Sequence, residues 1–247
     1  MRSTVSICIP YYEDPHRLYS VLHNEWLSWF DEIIIVDDAS SDFPASTIVE
    51  NAISDELIIG ADRISVYRIQ EDYGFNAHGA RNLAAQQSTS EWLFFLDVDL
   101  RLDEDFMAEL DLLTGTLGCS ENQYVLCNLF GGDPGNIFCV RREDFQKAGG
   151  YDEELRGYHM GDKIFRERLD SFCLPHLMDA ILPCDRMGRK VYEDDSITGT
   201  LYPDDHSVVQ RKQIHIQDQL DMIEQRNQEP ELWESIPKIQ FEWDKVI

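Results

Sequence analysis

Basic residues are scarce in this sequence. Lys and Arg number 21 against 47 Asp and Glu, for a net charge of −26. Binding to a phosphate backbone needs clustered cations, so nucleic acid is excluded as a general partner. The same charge repels a free nucleotide diphosphate, which must arrive with a metal ion or meet a local basic patch. No apolar run reaches transmembrane length, and Met1-Arg2-Ser3-Thr4 does not open a signal peptide. The expectation is a protein with no integral membrane segment, cytoplasmic unless another chain carries it to a membrane. None of the six cysteines pairs as Cys-x-x-Cys, which removes a zinc knuckle or thioredoxin-type motif and leaves reduced, packed thiols. The turn Tyr11-Tyr12-Glu13-Asp14 contains neither Gly nor Arg. It therefore lacks the loop that would hold a triphosphate after a first strand.

What the chain does have is alternation. Of its 247 residues 43% are hydrophobic, enough for a sizeable core. Val5 to Pro10, Glu32 to Val36 and Ile64 to Ile69 read as strands. Between them Leu18, Val21, Leu22 and Trp26 recur at helical spacing after Pro15, and a helix is predicted from about Pro44 to Ile53. A third helix is predicted over 80–87. The apolar run Trp92-Leu93-Phe94-Phe95-Leu96 follows as a strand buried on both faces. This order predicts a parallel, Rossmann-like α/β half. Further on, helices are predicted over 104–113, 142–148, 162–172 and 214–227, with strands over 124–130 and 136–140. No repeat or linker interrupts the chain. The expected organisation is one domain over 1–205 and a helical, acidic extension over 206–247. Trp233, Phe241 and Trp243 make that extension a candidate arm or homo-oligomer contact.

The central run leads into Asp97-Val98-Asp99. Two carboxylates spaced i, i+2 at the end of a buried strand can meet at one cation, and hard oxygen ligands suit Mg²⁺ or Mn²⁺. In parallel sheets, ligands bind beyond the carboxyl ends of the strands. An EF-hand loop is a poor match, because Arg101 and Leu102 stand where an oxygen ligand and Gly belong.

The motifs then fall into one pattern. The matching stretches are Ile9-Pro10-Tyr11-Tyr12-Glu13, Ile35-Val36-Asp37-Asp38-Ala39-Ser40-Ser41-Asp42, Gly79-Ala80-Arg81-Asn82, Leu96-Asp97-Val98-Asp99 and Gly157-Tyr158-His159-Met160-Gly161-Asp162. With them the chain resembles nucleotide-sugar-dependent glycosyltransferases of the GT-A fold, especially the large inverting family 2. The resemblance implies a Rossmann-like mixed sheet flanked by helices. It also implies that Pro10, Tyr11, Tyr12, Glu13 and Asp38 line a nucleotide pocket, with Asp37 supporting the loop. Arg81 would hold a base carbonyl or a phosphate. Asp97 and Asp99 would bind Mn²⁺ or Mg²⁺ against the diphosphate, and Asp162 would be the general base. Gly161 stands where the family carries a first acid. The stretch Leu182 to Tyr192 resembles polypeptide N-acetylgalactosaminyltransferases, with Arg189 in place of a metal-binding His. Arg186, Arg189 and Lys190 are therefore expected to hold the diphosphate directly. His206, or alternatively His215, is the candidate third metal ligand. The implied reaction moves a sugar from a UDP-sugar, UDP-glucose first, to an acceptor hydroxyl on a glycan, lipid or protein. A non-catalytic nucleotide-sugar or carbohydrate-binding module and a sugar-phosphate nucleotidyltransferase are the alternatives.

Overall fold

A computed structural model describes residues 3–55, 60–73, 76–98, 100, 102–115, 122–127, 137–155, 161–178, 216–229 and 239–247. These residues form one eight-stranded sheet: β1 (Val5–Tyr11), β2 (Glu32–Asp37), β3 (Ile64–Ile69), β4 (Trp92–Phe95), β5 (Gln123–Cys127), β6 (Phe138–Arg141), β7 (Leu174–Met178) and β8 (Trp243–Lys245). The spatial order is β7-β5-β6-β4-β1-β2-β3-β8. β4, β1, β2 and β3 are parallel neighbours. β6 runs antiparallel to both β4 and β5, β7 is parallel to β5, and β8 is antiparallel to β3. The parallel half is as the alternation of elements predicts.

Successive residues along the inner strands enter opposite cores, as strand geometry requires. Ile7, Ile9, Ile33, Ile35, Trp92 and Phe94 join one core. Cys8, Ile34, Val36, Leu93 and Phe95 join the other. The first core is covered by α1 (Pro15–Leu22), α2 (Ala45–Ser54) and α4 (Glu104–Thr114). The second is covered by α3 (Ala77–Gln87), α5 (Arg142–Lys147) and α6 (Gly161–Asp170). α7 (Ile216–Gln228) follows later in the chain. Helices on both faces explain why the central strands carry almost no polar residues.

Several boundaries differ from the sequence expectation. α1 ends at Leu22, and Trp26 falls in a 3₁₀ turn, Glu25–Trp29, whose first N–H groups are capped by Asn24. α3 begins three residues early, because the Asn76 side chain accepts from Gly79 N at 3.2 Å. β7 and β8 were not predicted. β7 contains Pro175 and is mostly exposed, so it shows no alternation and sits at the sheet edge. The boundary expected at 205/206 lies outside the described residues. β8 belongs to the main sheet, and Phe241 is buried in the second core beside Ile239 and Trp243. Among the described residues no helix is long and apolar enough to cross a membrane. Cys8, Cys127, Cys139 and Cys173 are free, buried thiols.

At the amino-terminal edge of the sheet, Glu32 ties three segments together. Its carboxylate accepts from the Ser6 hydroxyl, from Thr89 N at 3.0 Å and its hydroxyl at 2.6 Å, and from the Ser90 hydroxyl at 3.0 Å. Burial works to raise its pKa, but these donors win and hold it at about 2, against an ordinary 4.5. The stabilisation is therefore complete above about pH 4.5 and is lost as pH falls toward 2. Glu32→Gln is expected to cost about 1–3 kcal/mol near neutral pH, measured by denaturant unfolding. The difference from the parent should shrink between pH 4.5 and 2; a gap that stays constant across that window would refute the assignment.

Candidate active site

Because β1, β2 and β4 are parallel, the chain leaves all three at the same edge of the sheet, after Tyr11, Asp37 and Phe95. The candidate residues collect there. Tyr11 is buried, and its hydroxyl donates to the Phe43 carbonyl at 2.7 Å. Glu13, at φ 48°, turns its carboxylate onto the next loop. There it accepts from Ser41 N, from Asp42 N at 3.0 Å and from Phe43 N at 2.9 Å. The structure thus gives the Tyr11 and Glu13 side chains a bracing role between two loops. Pro10 and Tyr12 remain half-buried, and the Tyr12 hydroxyl faces Asp72 at 3.4 Å.

Asp37 is fully used inside the protein. It accepts from Ser40 N and from Ala45 N, both at 2.8 Å, and so caps α2 while shaping the loop. Burial raises its pKa despite those bonds. Asp38 is buried and accepts from Asn76 N at 2.6 Å, which joins the end of β2 to the start of α3. Capping of α2 falls to Asp37 and not to Asp38.

Arg81 lies on α3 and is 2% exposed. Its guanidinium reaches Asp97 Oδ1 at 2.7 Å, just past β4, and Asp162 Oδ1 at 3.4 Å, in the first turn of α6. It also stands 5.5 Å over the Tyr151 ring. Its neighbours on α3 are equally committed. His78 is buried, stacks on Tyr151 at 5.0 Å, and approaches Asp162 Oδ2 at 3.7 Å. Asn82 donates to the Tyr151 carbonyl at 2.9 Å and to Glu153 at 2.8 Å, and accepts from Tyr151 N at 2.7 Å. Tyr151 in turn packs on Phe165 of α6 at 4.5 Å. Burial works to raise the Asp162 pKa, but Arg81 and the contacts with His78 and Tyr151 bring it to about 2. Burial, then the Asp162 carboxylate, push the Tyr151 hydroxyl well above the ordinary phenol range.

The structure therefore brings Arg81, Asp97 and Asp162 into one cluster. Asp99, Arg186, Arg189, Lys190, His206 and His215 lie outside the described residues. Sequence reasoning missed His78, Asn82, Tyr151 and Glu153. The signal for the last two was the run Gly149-Gly150-Tyr151-Asp152-Glu153-Glu154, where a double glycine stops α5 and an aromatic residue and three acids follow.

The sequence model of Glycosyl transferase family 2 matches residues 6–158. The chain belongs to glycosyl transferase family 2. Solved structures agree with this family-2 chain in fold. S. aureus TarS, residues 1–349, is 14% identical with a TM-score of 0.55, over 72% of this chain and 59% of that one. The mannosyltransferase PcManGT from Pyrobaculum calidifontis is 16% identical with a TM-score of 0.58, over 74% of this chain and 56% of that one. GalNAc-T7 is 15% identical with a TM-score of 0.54, over 74% of this chain and 43% of that one. The family-2 chain thus has the GT-A fold and spans less than two-thirds of each of these proteins. No curated protein sequence matches it.

A divalent cation suits this end of the sheet in ligand type. Asp97 offers a hard oxygen donor on a side chain that is 31% exposed. Among the described residues no three His, Cys, Asp or Glu side chains gather to hold a metal. Asp97 is thus the described part of the donor set read from the sequence.

Removing the guanidinium tests how the family-2 site is held. Arg81→Met leaves the half-buried Asp162 without its strongest cationic partner. It is expected to destabilise the fold by about 3–5 kcal/mol in denaturant unfolding. The Asp162 pKa should also rise from about 2 past its ordinary 3.8, read by carboxylate NMR titration. An unchanged titration would show that Arg81 does not hold Asp162.

Proposed function

We propose that this chain is a metal-dependent glycosyltransferase that moves a sugar from a UDP-sugar to an acceptor hydroxyl with inversion. The observation that carries the reading is the Arg81 bridge. One buried guanidinium joins Asp97, on the expected diphosphate side, to Asp162, on the expected acceptor side. The neighbours' ligands support the donor class. TarS has been solved in complex with UDP and with UDP-GlcNAc, PcManGT with GDP-Man and Mn²⁺, and GalNAc-T7 with UDP, GalNAc and Mn²⁺. UDP-glucose is the first donor to test. The buried free thiols support a reducing compartment such as the cytoplasm.

In this reading Pro10, Tyr12 and Asp38 form the base and ribose side of the pocket, on loops pinned by Glu13 and Asp37. Asp97, Asp99 and His206 would hold Mn²⁺ or Mg²⁺, and Arg189 would add a direct phosphate contact. The bound cation supplies positive charge where the departing nucleotide develops negative charge. Asp162 removes the proton of the acceptor hydroxyl as its oxygen bonds to C1 and the C1–O bond to the diphosphate breaks. With a pKa near 2, Asp162 is a weak base while Arg81 is held against it. A diphosphate that draws the guanidinium toward itself strengthens that base.

The test is a screen of nucleotide sugars with Mn²⁺, scored by transfer and by nucleotide release, and repeated with EDTA. Activity should appear with a UDP-sugar, vanish with EDTA, and drop about 100-fold or more in Asp97→Ala and Asp99→Ala. Transfer that persists after chelation and in the double variant would remove the metal from the reading. Binding of UDP without turnover of any donor would favour a non-catalytic module. The anomeric configuration of the product, read by NMR, reports the stereochemistry, and retention would take the base role from Asp162.

A further inference from the structure

A cleft of about 310 Å³ lies between α1 and α2. Its walls carry His16 and Tyr19 from α1, Asp42 and Phe43 from the loop after β2, and Thr47 and Asn51 from α2. The volume falls at the lower end of the range for small-ligand sites, roughly 300–1,000 Å³. Pro10, Tyr12 and Asp38 do not line it, so it is separate from the proposed nucleotide pocket.

Two aromatic residues line this cleft, and both are held in place. Tyr19 is 38% exposed, and its ring packs on His23 at 4.0 Å. Phe43 is 44% exposed, although its backbone is pinned on both sides. Its N–H donates to Glu13 at 2.9 Å, and its carbonyl accepts from the Tyr11 hydroxyl at 2.7 Å. A single exposed apolar residue is ordinary on a surface, but two braced rings on one cavity form a recognition surface. Around them, the side chains of His16, Asp42, Thr47 and Asn51 make no hydrogen bond or ion pair among the described residues. Glu13 and Asp37, on the same two loops, have theirs filled from within the protein.

We propose that the cleft between α1 and α2 binds a neutral oligosaccharide, and that this glycan is the acceptor chain. The inference rests on the glycosyltransferase reading above and names its acceptor class. A sugar ring presents a C–H face that packs on an aromatic ring and a rim of hydroxyls that both donate and accept. Tyr19 and Phe43 supply the first kind of partner. Asp42 accepts, while Thr47 and Asn51 do both, which supplies the second. An anion fits poorly for two reasons. Asp42 lines the cleft and no Lys or Arg does. The N-terminal N–H groups of α1 and α2 are also capped already, by Asp14 and Asp37. A purely apolar ligand would leave four polar side chains unmatched. Asp37, Asp38 and Phe43 belong to one pinned loop, so a glycan seated on Phe43 is held in a fixed relation to the proposed donor pocket.

The test begins with binding, in the full chain and without donor. The probes are cello-, malto-, laminari-, manno- and chitohexaose. They are followed by NMR through the ring signals of Tyr19 and Phe43, assigned by their loss in Tyr19→Ala and Phe43→Ala. At least one hexaose should bind and shift both rings. Phe43→Ala should weaken that binding about 10-fold, and Phe43→Tyr should restore it. Should Phe43→Ala lower the melting temperature, Tyr19→Ala removes the other ring and gives the same reading. Binding that leaves both rings unmoved, no binding by any probe, or a preference for polygalacturonate or oligolysine at these rings overturns the proposal. With transfer in hand, Phe43→Ala should lower kcat/KM for the hexaose that binds about 10-fold relative to its disaccharide. Equal losses on both would refute the acceptor role. Absence of transfer by the parent would instead defeat the glycosyltransferase reading, while the binding experiment would still decide what the cleft holds.

Discussion

The site depends on one buried cation. A guanidinium withdrawn from water costs several kcal/mol of solvation, and it persists only where carboxylates surround it. Arg81 meets that condition with Asp97 at 2.7 Å and Asp162 at 3.4 Å. The two acids come from different parts of the sheet assembly: one follows the parallel strand β4, the other opens the helix α6. Their mutual position is therefore a consequence of the ion pair as much as of either element. Two carboxylates against one guanidinium leave an excess negative charge at the strand ends.

Behind the ion pair lies a layer of neutral bonds that fixes its geometry. Asn82 grips the backbone of Tyr151 on both sides, through its amide oxygen and its amide nitrogen. Glu153 accepts from Asn82 and from the N–H groups of Ile239 and Gln240 at 2.8 and 3.1 Å. The C-terminal segment, which the sequence marks as an appendage, thus reaches the support of the central site and then pairs with β3. Arg226 of α7 adds ion pairs to Asp152 and Glu154 in the same run. Helix, loop and tail converge on the four residues that follow the double glycine.

This arrangement explains what was legible in the sequence. Strand β4 was readable because both its faces are buried, which leaves an unbroken apolar run, and β1 to β3 because their residues are mostly apolar or β-branched. β8 was not, since three residues ending in Asp244 and Lys245 become a strand only once β3 is present to pair with them. Arg81, Asp97 and Asp162 could be named from short motifs, but nothing local to any of them reveals that they touch. His78 and Gly161 are the extreme case. The ring on α3 fills the space that a Cβ on Gly161 of α6 would take, and such a fit leaves no periodicity, no spacing and no composition bias. Glu13 shows the converse. A motif marked it for ligand contact, whereas three successive backbone N–H groups occupy its carboxylate.

In a chain with 47 acids, the partners chosen by the bonded ones separate structure from chemistry. Glu13, Glu32 and Asp37 are satisfied by N–H and O–H groups of neighbouring loops. Such donors are neutral, belong to the backbone or to short side chains, and have nowhere else to go. They make the loop ends rigid and leave no charge to be moved. Asp162 is satisfied by a guanidinium on a long side chain, which a stronger anion can draw away. In the proposed function, exchange of one anionic partner of Arg81 for another is what would alter the basicity of Asp162. The same fold can therefore hold its strand ends still with one set of carboxylates and leave another set responsive to what binds.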